Sequence, residues 1–239
     1  MTVSWHTYWG GKRLAAAVLA VALVASGSAQ TVRPVIVQYS GVARGRFELV
    51  NTGLRPMSVV LEPMSFSITE GGDGVYGPLA SSIHLKLSAT SFRIPPQQSR
   101  FVFYEARSDH LPAWFVIRNV FAGIGRQSGI KVQVDIPHTV YLLQKQPLEK
   151  QDVVMESFQL LRRQHKVVVT LVNKSPKLGR ALEWQVSAKG TKTSNAGFPL
   201  LPQSRRRLEV EWNSPHAPTV FWVRFERFTL KEEPSAQSE

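Results

Sequence analysis

Apolar and polar side chains alternate along residues 129–143, which form the clearest pattern in the chain. From residue 130 to residue 136, every second side chain is aliphatic, and the positions between them carry lysine, glutamine and aspartate. Because the side chains of a strand point alternately to its two faces, the pattern predicts one long strand with an apolar face. Pro137 has no backbone N–H, which favours a sheet edge for part of that strand.

The aliphatic side chains on this strand are Ile130, Val132, Val134 and Ile136. A long apolar edge strand is normally an aggregation hazard, because its unpaired backbone groups can pair with other chains. Two interpretations follow from the residues. The strand pairs with a partner protein, or its four aliphatic side chains face the core of their own domain.

The rest of the first half consists of short strand patterns separated by turn signals, without a helical period. Residues 70–74 (Glu-Gly-Gly-Asp-Gly) predict a hairpin tip, and Pro63 indicates a bulge or an edge within its strand. About seven strands at this spacing are typical of an antiparallel immunoglobulin-like sandwich. Besides residues 129–143, strands are predicted at residues 32–39, 45–50, 58–68, 100–105 and 114–121, with residues 92–94 leading into a Pro-Pro turn.

The second half predicts a smaller β-sandwich after a polar, proline-led linker at residues 147–152. Its strands are expected at residues 156–161, 166–172, 182–188, 207–212 and 219–228. The predicted fold is therefore all-β, with an immunoglobulin-like domain at residues 30–146 and a second sandwich at residues 153–230. Residues 231–239 are polar and are expected to form a disordered tail.

The first 29 residues have the layout of a secretory signal peptide. Lys12 and Arg13 precede an apolar run at residues 14–25, and small residues make cleavage after Ala29 plausible. The run is too short for a spanning helix, which needs about 20 residues, although an uncleaved anchor is the alternative interpretation. We therefore expect export and no stable membrane insertion after cleavage.

The formal net charge is +12, which falls to +10 without Lys12 and Arg13. Positive charge of this size suits nucleic acid, an acidic membrane surface or an acidic protein, and export argues against nucleic acid. The chain has no cysteine, which excludes thiol chemistry and thiolate metal sites. The one run of basic residues, at 205–207, is typical of a solvated face.

No catalytic constellation is recognisable in the sequence. The histidines after the signal do not have zinc-ligand spacing with another histidine or a carboxylate, and no nucleophile-elbow serine is present. Asp109 and His110 are adjacent, but they lie in a proline-containing stretch that favours a surface turn. We expect neither enzymatic activity nor a metal or cofactor.

Seven segments, in this order and at this spacing, resemble the periplasmic chaperones of the chaperone–usher pilus pathway. A short Pro-containing turn ending in serine precedes a strand in both halves, which that family also tends to show. The resemblance covers essentially the whole chain after the signal peptide. The segments are VRPVIV, RFELVNTG, SFRIPPQQSRFVFYEA, LPAWFVIRNVF, KVQVDIPHTVYLL, VVVTLVNKSP and GFPLLPQSRRRLEV.

The resemblance implies a periplasmic protein that lends its seventh strand to pilus or fimbrial subunits and delivers them to an outer-membrane usher. On the matching register, the donated side chains would be Ile130, Val132, Val134 and Ile136. Strand addition of this kind takes affinity from main-chain hydrogen bonds and selectivity from side-chain pockets.

The resemblance also implies two basic residues that bind the terminal carboxylate of the subunit. The seventh-strand lysine of the family would fall at Thr139, so this chain departs from the pattern. Arg33 and His138 are the candidate substitutes, and a histidine could pair with a carboxylate only when protonated. Ordinary surface roles for both residues are an equal alternative.

Two other classes of function stay open at this point. The chain could be a structural or adhesive two-domain surface protein whose long strand completes its own sheet. It could also be a carbohydrate- or peptide-binding module, in which Trp184, Trp212 and Trp222 offer stacking faces.

Overall fold

The computed structural model describes residues 30–123, 133–233 and 237–238. Within this part the regular secondary structure is almost entirely strand, and the helices are two single 3₁₀ turns at Lys150–Asp152 and Arg162–Gln164. The apolar side chains form two separate cores, one from residues 32–142 and one from residues 148–230. The predicted all-β fold with two sandwiches is confirmed, whereas the predicted signal peptide lies outside the described residues.

The first domain packs two sheets over a core that contains Phe47, Phe115 and Phe121, all fully buried. Sheet I has the strand order β1-β3-β8-β6, and sheet II has the order β2-β10-β9-β4-β5, with β7 also pairing with β4. The strands are β1 (Gln30–Arg33), β2 (Ile36–Ser40), β3 (Ala43–Asn51), β4 (Met57–Ile68), β5 (Gly74–Pro78), β6 (Ile83–Leu87), β7 (Ser91–Ile94), β8 (Gln98–Ser108), β9 (Ala113–Gly123) and β10 (Gln133–Leu143).

The single strand predicted at residues 32–39 is two strands that belong to different sheets. β1 pairs with β3 in sheet I, and β2 pairs in parallel with β10 in sheet II. The chain crosses between the sheets at Pro34, which has no N–H for a ladder and follows a cis peptide bond. Alternation of side chains cannot show such a crossing, because both strands keep the same period.

Pro63 lies within the long strand β4, opposite Ile117 of β9. On the other side of β4, the pairing with β7 ends at Val60 and the pairing with β5 begins at Met64. The proline therefore occupies a gap in the neighbouring strands, where its missing N–H interrupts no ladder. The hairpin tip predicted at residues 70–74 joins β4 and β5, and Gly72 adopts a φ of 106° there.

The second domain also packs two sheets, whose strand orders are β16-β12-β11-β19 and β14-β13-β17-β18, with β15 pairing with β13. Its core contains Trp184 and Trp212. The strands are β11 (Val153–Leu161), β12 (Lys166–Asn173), β13 (Gly179–Ala188), β14 (Thr191–Ala196), β15 (Pro199–Leu200), β16 (Arg205–Glu211), β17 (Val220–Phe225), β18 (Thr229–Glu232) and β19 (Gln237–Ser238).

Several expectations for the second half need correction. β14 lies between the strands predicted at residues 182–188 and 207–212, where none is predicted, and residues 219–228 are divided between β17 and the turn that precedes β18. The linker predicted at residues 147–152 is attached to the second domain, because the Leu148 side chain is buried in the core of that domain. Lys231 and Glu232, expected in a disordered tail, belong to β18 and pair with β17.

A buried asparagine ends a core strand in each domain. The Asn51 amide donates to the carbonyl oxygens of Ile94 and Pro95, at 3.2 and 3.0 Å, and Asn173 donates to that of Leu201 at 2.9 Å. Both asparagines are fully buried. The asparagines lie in similar sequences, LVNTG at 49–53 and LVNKS at 171–175, and in each domain the amide contacts the backbone just before the proline-containing turn that ends in serine. Each amide satisfies carbonyls that would otherwise be buried without a donor.

The two domains meet along a small apolar interface and at the β4–β5 hairpin. Tyr141 of the first domain clusters with Leu178 and Leu201 of the second. At the hairpin, the backbone N–H of Arg207 donates to the carbonyl oxygen of Glu70 at 2.8 Å. Leu178 also lines a cleft between the domains.

Candidate functional site

Strand β10 is covered on both sides for only part of its length. It pairs with β9 from Gln133 to Leu142, whereas β2 pairs with it only from Thr139 to Leu143. Within the described residues, positions 133–138 therefore have one neighbouring strand and one free edge. Pro137 lies in this free segment, as its missing N–H favours.

The side chains of the free segment separate into two faces. Val134 and Ile136 are partly buried and pack against the margin of the first core, while Gln133 and Asp135 are exposed. The core side chains of the same strand, Val140 and Leu142, are completely buried. Ile130 and Val132, the other two predicted donor side chains, lie outside the described residues.

The opposite face of the free segment is held by an ion pair. Arg118 Nε of β9 donates to Asp135 Oδ2 at 2.6 Å, and Arg118 Nη1 lies 3.3 Å from Glu62 Oε2. The hydrogen bond to Asp135 raises the pKa of the Arg118 guanidinium further. This charged face keeps the strand oriented, so that Val134 and Ile136 stay on the apolar side.

His138 lies inside the first domain and not at its surface. The imidazole is fully buried and stacks on Phe47, with 4.5 Å between the ring centroids. Its Nδ1 lies 2.6 Å from the carbonyl oxygen of Pro34, and its Nε2 lies 3.1 Å from the Tyr104 hydroxyl. Both nitrogens are thus occupied within the domain, which leaves no free donor for a carboxylate.

Burial and the hydrogen-bond partners together determine the protonation state of His138. A carbonyl oxygen can only accept, so Nδ1 carries a proton, and in the neutral ring Nε2 accepts from Tyr104. The Tyr104 hydroxyl lies 3.0 Å from that of Tyr39, which then donates to it. Burial lowers the pKa of His138 to about 4, against the smaller opposing effect of the Pro34 carbonyl, so the ring is neutral.

Arg33 is placed apart from His138. It is exposed at the end of β1, next to the buried Val32, and so its side chain lies on the outer face of sheet I. His138 points to the inner face of sheet II. The two candidate anchor residues therefore do not converge on a common site in this structure.

A different set of basic residues lines the cleft between the domains. The cleft has a volume of about 170 Å³, and Lys145, Arg180 and Arg227 contribute to its walls together with one carboxylate, Glu226. Gln38 of β2 donates to Glu226 at 3.1 Å across the cleft. Arg180 and Arg227 are distant from the first domain in sequence, so strand patterns gave no signal that they would lie here.

The residues considered for other kinds of site are dispersed over the two domains. No cluster of histidine, cysteine and carboxylate groups there could hold a metal ion. Asp109, considered with His110, instead lies 2.9 Å from His84 Nε2 on the surface. Trp184 and Trp212 are core residues and Trp222 is half-buried, so two of the three proposed stacking faces are hidden.

In the described part of the chain, no helix is long and apolar enough to cross a membrane.

Solved structures of similar fold include pilus chaperones. The YadV chaperone matches 82% of this chain and 91% of its own, at 9% identity and a TM-score of 0.52. One chain of the CsuC–CsuE chaperone–tip adhesion subunit pre-assembly complex of Acinetobacter baumannii matches 85% of this chain and 98% of its own, at 13% identity and a TM-score of 0.48. The chaperone DraB of E. coli matches 88% and 97%, at 14% identity and a TM-score of 0.48.

Neither a protein-family model nor a curated protein matches the sequence. Identities this low establish similarity of fold alone. The chain has the two-domain immunoglobulin-like fold of the pilus-assembly chaperones.

Proposed function

We propose that this protein is a periplasmic chaperone that binds pilus or fimbrial subunits by donating an edge strand and delivers them to an outer-membrane usher. The observation that carries the proposal is the free edge of β10 at residues 133–138. The second half of β10, from Thr139 to Leu143, is covered on that side by β2. A subunit strand laid along this edge would extend sheet II and satisfy its open backbone groups.

Val134 and Ile136 supply the apolar part of the proposed contact. They lie on the margin of the core, where a partner could bury the surface that the domain itself leaves open. Complete burial of an aliphatic side chain contributes about 1.5–3 kcal/mol before entropic costs. Ile130 and Val132 follow the same alternation in sequence, and we keep them in the proposed donor set.

The interdomain cleft is the proposed place for the terminal carboxylate of the subunit. Lys145, Arg180 and Arg227 outnumber Glu226 there, so the cleft favours a negative charge. We propose these three residues in place of His138, whose neutral ring is occupied on both nitrogens. The Arg33 side chain lies on the outer face of sheet I, so it would contact only partner segments that reach this face.

The donor-strand proposal can be tested by capture of a pilus subunit. The full chain, secreted with its own leader, is co-expressed with a subunit from the same organism and purified from the periplasm. The pair of substitutions Val134→Glu and Ile136→Glu is expected to reduce the captured subunit at least about tenfold, because two charges would enter an apolar groove. Capture equal to that of the unaltered chain would contradict the proposal.

Gln133→Glu provides the matched control, since it adds a charge to the exposed face of the same strand. It should leave capture within about twofold, because that face does not enter the contact. If the double glutamate variant fails to fold, Val134→Thr with Ile136→Thr replaces it and should still weaken capture. Periplasmic location is tested by cell fractionation and by the N-terminus of the secreted protein, expected at Gln30. Delivery is tested by co-purification of the complex of chaperone and subunit with the usher.

A further inference from the structure

A second exposed apolar feature lies on sheet I, on the side of the first domain that faces away from β10. Phe101 and Phe103 occupy successive outward positions of β8 and are 45% and 54% exposed. Single exposed apolar side chains are common on protein surfaces. Here two phenylalanines lie side by side on the outer face of a sheet, and neither contributes to the core.

Basic side chains surround the two rings. Arg46 lies directly opposite Phe103 in the ladder between β3 and β8. Its guanidinium carbon lies 4.9 Å from the centroid of the Phe101 ring, as in a cation–π contact. A shallow groove of about 590 Å³ runs beside Phe103, and Arg44, Arg46 and Lys86 line it.

The outer face of sheet I has an excess of positive charge. Five basic side chains alternate there with buried neighbours, whereas the carboxylates on the same face are Glu48 and Glu105. Arg44 lies 3.5 Å from Glu105, but among the described residues Arg46 and Lys86 form no ion pair with a carboxylate. The basic residues are Arg33, Arg44, Arg46, Lys86 and Arg107.

We propose that this face binds an acidic, extended segment of a protein partner. The partner's carboxylates would pair with the basic residues around the groove, and its apolar side chains would cover Phe101 and Phe103. The charge of the face selects this occupant over a second copy of the chain, because two such surfaces would repel each other. Glu48 lies directly opposite Phe101, and an extended peptide can place an uncharged side chain beside it, whereas an anionic lipid surface would bring like charge against it.

The proposed surface is separate from the strand edge of the proposed function. It lies on sheet I, whereas β10 belongs to sheet II, and the two are divided by the first core. A partner could therefore occupy the outer face of sheet I while β10 is engaged. Failure of one proposal does not bear on the other.

Binding of a defined peptide by the full secreted chain tests the inference. The probe is a fluorescein-labelled peptide in which glutamate and aspartate alternate with phenylalanine, and the comparison is the same peptide with lysine at every acidic position. Fluorescence anisotropy is expected to show binding of the acidic peptide only, weakening as sodium chloride is raised. Phe103→Ser and Arg46→Ser should each weaken it about tenfold.

Leu54→Ser is the matched control, because Leu54 is 86% exposed and lies in the turn between β3 and β4, outside the strands of this face. It should leave peptide binding unchanged, and thermal unfolding should show that all variants fold. If Arg46→Ser is unstable, Arg46→Gln keeps the aliphatic stem and tests the charge alone. Equal binding of both peptides, no binding, or insensitivity to Phe103→Ser would overturn the inference. So would preferential binding to vesicles that contain phosphatidylglycerol, or a dimer that the same substitutions dissociate.

Discussion

His138 Nδ1 donates to the carbonyl oxygen of Pro34 over 2.6 Å, which links β10 to the point where the chain crosses between the two sheets. The ring's other nitrogen accepts from Tyr104, and Tyr39 donates to Tyr104 in turn. A polar network of Tyr39, Tyr104, His138 and the Pro34 carbonyl therefore lies within the first domain. Burial favours the neutral form of His138 in this network.

The stability of the first domain should fall as the pH is lowered from 6.5 to 4. Burial lowers the pKa of His138 from its ordinary value of 6.5 to about 4, so the unfolded chain binds more protons in this window. The full effect is about 3 kcal/mol. Urea unfolding at pH 7.5, 6.0 and 5.0 measures it, and His138→Gln should flatten the slope. Equal slopes for both proteins between pH 6.5 and 5 would contradict the assignment.

Gly45 makes room for the tyrosine hydroxyls of this network. A Cβ at this position would overlap the hydroxyls of Tyr39 and Tyr104, so Gly45→Ala should destabilise the protein by about 1–3 kcal/mol. Tyr39→Phe removes one of the two hydroxyls and should recover part of the loss in the double variant. The coupling is measured by a double-mutant cycle of unfolding free energies. Strictly additive effects would show that the two positions do not compete for this space.

The two halves of β10 should respond differently to truncation. Val140 is completely buried, so Val140→Ala should cost about 2 kcal/mol or more of unfolding free energy. Val134 is only partly buried at the margin of the core, and Val134→Ala should cost less than about 1 kcal/mol. Chemical denaturation of the two single variants compares them directly. A larger loss for Val134 would favour the interpretation that the aliphatic side chains serve mainly their own core.

The buried asparagines should be important to their own domains. Asn51→Ala leaves the Ile94 and Pro95 carbonyls and the Gly53 N–H without their partner, and Asn173→Ala similarly affects Leu201 and Ser175. Each should lose about 2–4 kcal/mol, because unsatisfied buried groups are costly. Calorimetry should show a lower melting temperature for the unfolding transition of the domain that carries the substitution, and an unchanged one for the other domain. Asn213→Ala, at an exposed position just after β16 in the second domain, is the control and should cost little.

Arg206 is predicted to be replaceable without loss of stability. Its guanidinium lies over the Phe198 ring and against Gly72 of the hairpin tip, and its Nε and Nη1 are buried without a hydrogen-bond partner. Burial lowers its pKa, although Asp73 acts in the opposite direction. Arg206→Met should therefore change the unfolding free energy by less than about 1 kcal/mol, in either direction. A loss above 3 kcal/mol would show that the charge itself stabilises this contact.

The alternation of side chains was enough to predict most core strands of both domains. Val140 and Leu142, for example, fall on the buried face as the period of two requires. Short strands such as β5 and β6 were missed, because their apolar faces are small and adjoin turn signals. The crossing at Pro34 was also missed, since two strands in different sheets share one period.

The sequence by itself determined the all-β class, the two sandwiches and the apolar face of the long strand, because these depend on local periodicity and turn chemistry. Only the tertiary structure decided which part of that strand is free, since an edge is defined by the absence of a neighbour and not by the strand's own residues. It also moved His138 from the proposed anchor into the core and gathered Lys145, Arg180 and Arg227 at the cleft. Those positions depend on contacts between residues far apart in the chain, which no local pattern encodes.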